Sequence, residues 1–475
     1  MVAVFLLHVP TLGYYFSYDD LVPFADIRNT PAGEWVRNVL TMRDATPSWR
    51  PLTMLFYLGE YKLFGEHVLA YRLLHLSVHL LNVGLVYALA MRFTRERGAA
   101  IFAALGFGVF GAAWDTVSYL TALPHVLAVG LVLLSAYLLL EFVETGETQT
   151  DLCWGSLVFL LLAFFADEAA VVLAPVLPLL YLLSPRRTGS WRRFGVIGAA
   201  FATLPTVFGA VFLFCDCRDS FTVEQRWNFT SIQQSWMYLG WLAVPAGEPP
   251  YRFELQQWIT GGLGLAILGY GVWRGPWWVR WSVAAAALAL VPYVPIEPVT
   301  GLKLSVYPRY AYVASPFFIL ALTWALMKLS SSFSPTMAAR WLTSVLAIGT
   351  LLGYSTETLV YNERVLSGHE PTRHLVEELR ARNLPVGSRV MLVGEPWSNT
   401  FAVFAGLPTI RRFVYGDSMA APVLEGWRPD VLDLWLRRRS YQLAPGELVL
   451  RYDSGRFIAI TPDDMRRGAL RAIPP

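Results

Sequence analysis

The chain has 475 residues, 55% of them hydrophobic and only 15% charged, where a soluble domain carries about 25% charged residues. That balance excludes an ordinary soluble globule, and a net charge of +3 is too small to argue for nucleic acid as a partner. Apolar runs recur from residue 70 to 359, many near the length of about 20 that crosses a bilayer. The composition therefore predicts a mainly α fold, a polytopic transmembrane helical bundle.

The first run, MVAVFLLHVPTLGYYF (1–16), is short and almost nothing precedes it, so a truncated first helix or a start further upstream is expected. A cleaved leader is the rival reading, but a basic n-region and a small-residue cleavage site are both missing. Eleven spans are expected in all: 1–16, 70–91, 98–115, 124–143, 152–166, 169–184, 194–214, 255–273, 280–296, 310–328 and 341–359. Arginine clusters orient them. Arg92, Arg95 and Arg97, then Arg186, Arg187, Arg192 and Arg193, then Arg274 and Arg280, then Lys328 and Arg340 are all placed in the cytoplasm. The apolar stretch 231–247 would upset that orientation as a span. It is expected as a re-entrant or interfacial helix on the outer face, with Trp236 and Trp241 at headgroup depth. The locale fitting this layout is a bacterial inner (plasma) membrane.

After Tyr361 the character changes. TRHLVEELRARN (372–383) is amphipathic, VGSRVMLVG reads as a strand, and GELVLRYDSGRFIAIT reads as a hairpin turning at Asp453–Gly455. Residues 361–475 are expected to form a small α/β domain, extracytoplasmic on the span count, beside a transmembrane portion at 1–360. Cys215 and Cys217 could pair in an oxidising compartment, but with Cys153 they read as incidental thiols.

Asp19 and Asp20 stand directly after the first run, in SYDD. A carboxylate dragged to the centre of a membrane helix costs roughly 2.5–3.5 kcal/mol, so adjacent acids at the boundary need a reason, and surface chemistry is the leading one. The loop 17–69 adds Asp26, Arg28, Arg37, Arg43, Asp44, Trp49 and Arg50. Arginines on the face that should be poor in them suggest an anionic ligand, with lipid headgroups as the bland alternative. Arg72, His75 and His79 share one face of the second span and should point into the protein. The spacing of His75 and His79 also occurs in metal sites, but without a third ligand hydrogen-bonded structural histidines are favoured. Asp115, in GAAWDTVSYLTALPH, and Asp167 with Glu168, in FFADEAAVVLAP, lie at outer ends of spans, where helix capping is the simplest reading for each. Arg309, among Tyr307, Tyr310 and Tyr312, could fork two hydrogen bonds to a phosphate.

In order, these motifs resemble the GT-C superfamily of membrane glycosyltransferases, especially its protein O-mannosyltransferase-like branch. SYDD, the stretch from WRPLT to His79, WDTVSY, DEAAVVLAP with Pro175, and RYAY carry the resemblance over residues 1–330. The chain departs at Asp167, where the family has lysine, and at Arg72 and His75. The resemblance implies inverting transfer of a sugar, hexosyl or mannosyl, from a polyprenyl-phosphate donor to an extracytoplasmic acceptor hydroxyl on a protein, lipid or glycan. Asp19 or Asp20 would be the base. Arg50, Arg72, His79 and Arg309 would face the donor phosphate, and Asp115 and Glu168 would hold sugar hydroxyls or orient the arginines. Clustered carboxylates could ligate Mg²⁺ or Mn²⁺, but the reading favours no metal and no other cofactor. The rivals are a transporter or flippase of a lipid-linked glycan, and an inactive scaffold.

Overall fold

The computed structural model describes residues 1–17, 19–41, 49–111, 113–189, 191–214, 229–244, 255–294, 308–332, 337–382, 384–385, 387–393, 407–417, 421–427, 429–440, 442–453 and 456–467. They are mainly helical with one small sheet. The chain divides into two compact units. One comprises Met1–Val9, Asn38–Leu55 and Arg72–Asn362, the other Pro10–Arg37, Phe56–Tyr71 and Glu363–Pro475.

The first unit is a helical bundle. Four described helices, Val68–Thr94, Leu120–Glu144, Trp191–Ala210 and Arg309–Ser331, are long and apolar enough to cross a membrane. The apolar helices Val2–Gly13, Arg97–Gly108, Thr150–Ala166 and Glu168–Leu183 are shorter. Two of the expected spans are broken. The 98–115 run ends its helix at Gly108 and restarts as Ala113–Ser118. The 169–184 run begins as a 3-10 turn, Glu168–Leu173, before the helix Val176–Leu183, and Pro175 between them lacks the N–H that a continuous helix would need. Helix Pro308–Ser332 is central. Its residues from Ala311 to Leu322 are buried almost without interruption, so it is enclosed on all sides and packs on helices from several parts of the unit. Helices Leu123–Glu144 and Thr150–Ala166 lie together, joined where the Ser135 hydroxyl donates to the Ser156 carbonyl at 2.6 Å.

In the 231–247 stretch the expected headgroup placement of Trp241 is corrected. The stretch forms helix Phe229–Ala243, packed closely along Leu255–Arg274. A Cβ at Gly264 would meet the Leu239 carbonyl oxygen at 2.3 Å, and one at Gly261 the Trp236 carbonyl oxygen at 2.6 Å, so small residues set the approach. Trp241 is 5% exposed and belongs to the core, because the helix turns that face into the bundle. Trp236 instead donates its ring N–H to the Trp258 carbonyl.

One contact bears on orientation. Arg92 and Arg186, from the first and second arginine clusters, both bind Glu144, so these two clusters occupy one end of the bundle. Cys215 and Cys217 lie outside the described residues, and Cys153 is half-buried.

The second unit holds a sheet of order β2-β1-β3-β4, with β1 Arg389–Val393, β2 Val423–Trp427, β3 Glu447–Asp453 and β4 Arg456–Ala459. Strands β1, β2 and β3 are parallel and β4 runs back along β3. Helix Pro429–Arg438 turns Leu432 and Leu436 onto Met391, Val393 and Val449 to make a small core. Helix Leu407–Tyr415 packs on Leu21–Asn29. There Arg412 binds Asp26, and Arg28 donates to the Phe413 carbonyl at 2.6 Å and lies 3.5 Å from Glu66. Asp26 and Arg28 are thus engaged within the protein. Arg43 and Asp44 lie outside the described residues.

Candidate active site

Helix ends converge in the first unit. Helix Pro51–Phe64 starts on a proline, whose fixed φ suits a first helical position, and Arg50 immediately precedes it. Helix Thr150–Ala166 stops because Asp167 is extended (φ −148°, ψ 116°), and its carboxylate accepts the Ala169 N–H at 3.2 Å, capping the turn that follows. The buried Thr53 hydroxyl donates to the Ala166 carbonyl at 2.8 Å. That bond ties the start of one helix to the end of the other and delivers Arg50 to Asp167 and Glu168.

Arg50 binds Glu168 as a fork, Nε to Oε2 at 2.7 Å and Nη2 to Oε1 at 2.9 Å. Its Nη2 lies 3.4 Å from Asp167 Oδ1, and Asp167 Oδ2 accepts from His125 Nδ1 at 2.5 Å. The Tyr293 hydroxyl donates to the same oxygen at 3.4 Å. Asp167 and His125 side chains are 1% and 4% exposed, whereas Arg50 and Glu168 are 21% and 22% exposed. Burial pushes the Asp167 carboxyl up, but Arg50 and His125 outweigh it and hold it well below the usual carboxylate range. The result is a chain of charge with a buried acid and imidazole behind a half-exposed arginine and glutamate.

Asp115, buried at 4% exposure, accepts the backbone N–H of Arg309 at 2.9 Å. It therefore caps a helix, as the simplest reading held, but the helix is Pro308–Ser332 rather than its own. A carboxylate there complements the partial positive charge of the helix start. The Arg309 guanidinium lies 5.8 Å from the rings of Tyr119 and Tyr310. Tyr310 stacks on Tyr293 at 4.4 Å and meets the edge of His125 at 5.6 Å. Asp115, Arg309, Arg50 and Glu168, widely separated in sequence, thus belong to one contiguous polar cluster.

The other expected residues have different surroundings. Arg72, His75 and His79 are 1%, 2% and 0% exposed, facing the interior as their spacing predicted. Arg72 donates to the Ser118 carbonyl. Both ring nitrogens of His79 are engaged, Nδ1 with the Tyr312 hydroxyl at 2.9 Å and Nε2 with the Gly108 carbonyl at 3.2 Å. Asp19 and Asp20 fall in the second unit. Asp20 is fully buried and closes a reciprocal turn: the Ser17 N–H donates to Asp20 Oδ2 at 2.9 Å and the Asp20 N–H to the Ser17 hydroxyl at 3.2 Å. Asp19 is partly exposed. Among the described residues no group of three or more His, Cys, Asp or Glu is placed to hold a metal ion.

Sequence reasoning missed His125 and Tyr293 as members of the cluster, and read Asp167 beside Glu168 as a helix cap. The available signal was an ionisable side chain in the first turn of an apolar helix, which is costly in a membrane protein unless partnered.

No family model matches the chain, and no curated protein matches it. Among solved structures it is similar to ArnT from Cupriavidus metallidurans bound to undecaprenyl phosphate, at 14% identity over 95% of this chain and 92% of that one, TM-score 0.46. The apo state of ArnT from the same organism gives 14% identity over 95% and 91% of the chains, TM-score 0.42.

Proposed function

We propose that the chain is an integral-membrane glycosyltransferase of the GT-C kind, moving a sugar from a polyprenyl-phosphate donor to an acceptor hydroxyl with inversion. One observation carries the reading. Arg50 of WRPLT, Asp115 of WDTVSY, Glu168 of DEAAVVLAP and Arg309 of RYAY are drawn into one polar cluster inside the bundle. A hexose is the sugar we assign, with mannose favoured by the motif resemblance, and a polyprenyl tail suits the apolar grooves between helices.

One helix supports an extracytoplasmic placement of the cluster. His125 begins Leu123–Glu144, whose far end binds Arg92 and Arg186. Nineteen residues separate His125 from Glu144, a rise of about 28 Å, close to the roughly 30 Å hydrocarbon core. With the arginine end in the cytoplasm, the cluster is extracytoplasmic.

In this reading Asp19 removes the acceptor proton as the hydroxyl attacks the anomeric carbon. Asp20 is the weaker candidate because it is buried and bound in the turn with Ser17. Charge developing on the departing phosphate is met by Arg309 and by Arg50, whose Nη1 has no hydrogen bond among the described residues. Asp115 positions Arg309 by fixing the start of its helix, and Glu168 holds the Arg50 fork. Arg72 and His79, bound within the bundle, are assigned structural roles.

The test is transfer from radiolabelled polyprenyl-phosphate sugars by purified protein in detergent. Asp19→Asn should lower turnover by about 10²–10⁴-fold with unfolding unchanged. Full activity in that variant would sink the assignment of the base. Donor binding with no turnover by the wild type would favour the transporter or flippase.

A further inference from the structure

The geometry points to His125 as a proton donor to the departing phosphate, positioned by Asp167; this rests on the transfer reading above. The His125 ring is almost wholly buried in an apolar bundle, a costly place for an imidazole without a task. Its Nδ1 is bound to Asp167 at 2.5 Å, while Nε2 has no hydrogen-bond partner among the described residues. The arrangement is that of a carboxylate-held imidazole. The acid fixes the ring, stabilises the imidazolium and leaves Nε2–H as the working atom. Arg50, the arginine assigned to the phosphate, lies on the other oxygen of the same carboxylate at 3.4 Å.

The step balances. The bond from the anomeric carbon to the phosphate oxygen breaks with its electron pair on oxygen, and the acceptor oxygen bonds to carbon and loses its proton to Asp19. The phosphodiester monoanion thereby becomes a phosphomonoester, which takes the Nε2 proton and leaves as a monoanion. Proton donation to a leaving group by a positioned imidazolium is general acid catalysis. The groups facing the ring are Asp167, Tyr293, Tyr310 and, by its charge, Asp115.

The experiment is a pH–rate profile of the purified full chain on polyprenyl-phosphate sugar, for wild type, His125→Asn and His125→Gln. Asn retains a donor near Nδ1 for Asp167 and removes Nε2, whereas Gln places a donor near Nε2 that cannot transfer a proton. Wild type should lose kcat on the alkaline side as the imidazolium is lost. Both variants should lose that limb and fall about 100-fold in kcat, with the donor KM within about threefold. A merely structural histidine would lower activity and leave the limb in place, which overturns the proposal, as does unchanged kcat. Should neither variant fold, a wild-type profile flat through the alkaline range overturns it and an alkaline limb there supports it. No transfer by the wild type from any donor fails the function reading itself, and this role with it; transfer without an alkaline limb fails the role alone.

Discussion

Helix Leu123–Glu144 carries a charge cluster at each end, and the two are built differently. At its C-terminal end Arg92 binds Glu141 and Glu144, Arg186 binds Glu144, and Arg92 also bonds the Tyr137 hydroxyl. All four charged side chains there are between 21% and 37% exposed. Acids at a helix C-terminus oppose the helix dipole, and the arginines offset that cost at the edge of the bundle. At the N-terminal end the acid and the imidazole are 1% and 4% exposed. An ion pair near solvent contributes about 0–1 kcal/mol, whereas a buried charge that loses its partner costs about 3–5 kcal/mol. The first cluster is a solvated edge. The second keeps charge where water would have been cheaper, and that difference is what singles it out as the candidate site.

Breaking each cluster should expose the contrast. Arg50→Ala should have the largest effect, about 3–5 kcal/mol of lost stability, because it strips Asp167 of a charge partner inside the bundle. Thermal unfolding in detergent would measure it, and a loss below about 1 kcal/mol would put the two clusters in one class. Acid titration sharpens the point at intermediate size. Asp167 has a folded pKa held below its ordinary value near 3.9. Its stabilisation is therefore fully present above about pH 4 and is lost as pH falls through the depressed folded value. Measured in a His125→Asn background, so that no imidazole titrates there, the stability gap between Asp167 and Asp167→Asn should stay constant from pH 7 to about pH 5 and narrow only below about pH 4. A gap that closes near neutrality would mean the carboxyl is not held charged. Arg92→Ala should have the smallest effect, below about 1 kcal/mol, with transfer unchanged.

The parts of this contrast were unequally legible in the sequence. Arg50, Asp115, Glu168 and Arg309 stand at edges of apolar runs, where a charge is conspicuous. Arg72, His75 and His79 declared a common interior face through their spacing. His125 gave less away, since one imidazole in the first turn of a helix is ordinary, and its meaning comes from Asp167, 42 residues later. Asp167 itself read as a departure from a motif, because the arginine that it meets comes from a distant loop. The strand within VGSRVMLVG and the two arms of the hairpin in GELVLRYDSGRFIAIT were readable from alternation alone, and appear as β1 and the antiparallel β3–β4 pair; the turn between the arms lies outside the described residues. The break at Pro175 was not foreseen, because an apolar run hides a kink that only hydrogen-bond geometry reveals. Trp241 was misjudged for a related reason: tryptophan suits a headgroup layer and a packed core equally well, and only the burial of its face of the helix decides between them.

The helix joining the two clusters is also a ruler. Its polar ends are covalently fixed about 28 Å apart, and each resists entering hydrocarbon for its own reason. A bilayer much thicker or thinner must tilt the helix, deform around it or drag one cluster out of register, at fractions of a kcal/mol per ångström of mismatch. Acyl-chain length in reconstituted vesicles thereby becomes a control variable for this protein, one that acts on the site without any ligand touching it.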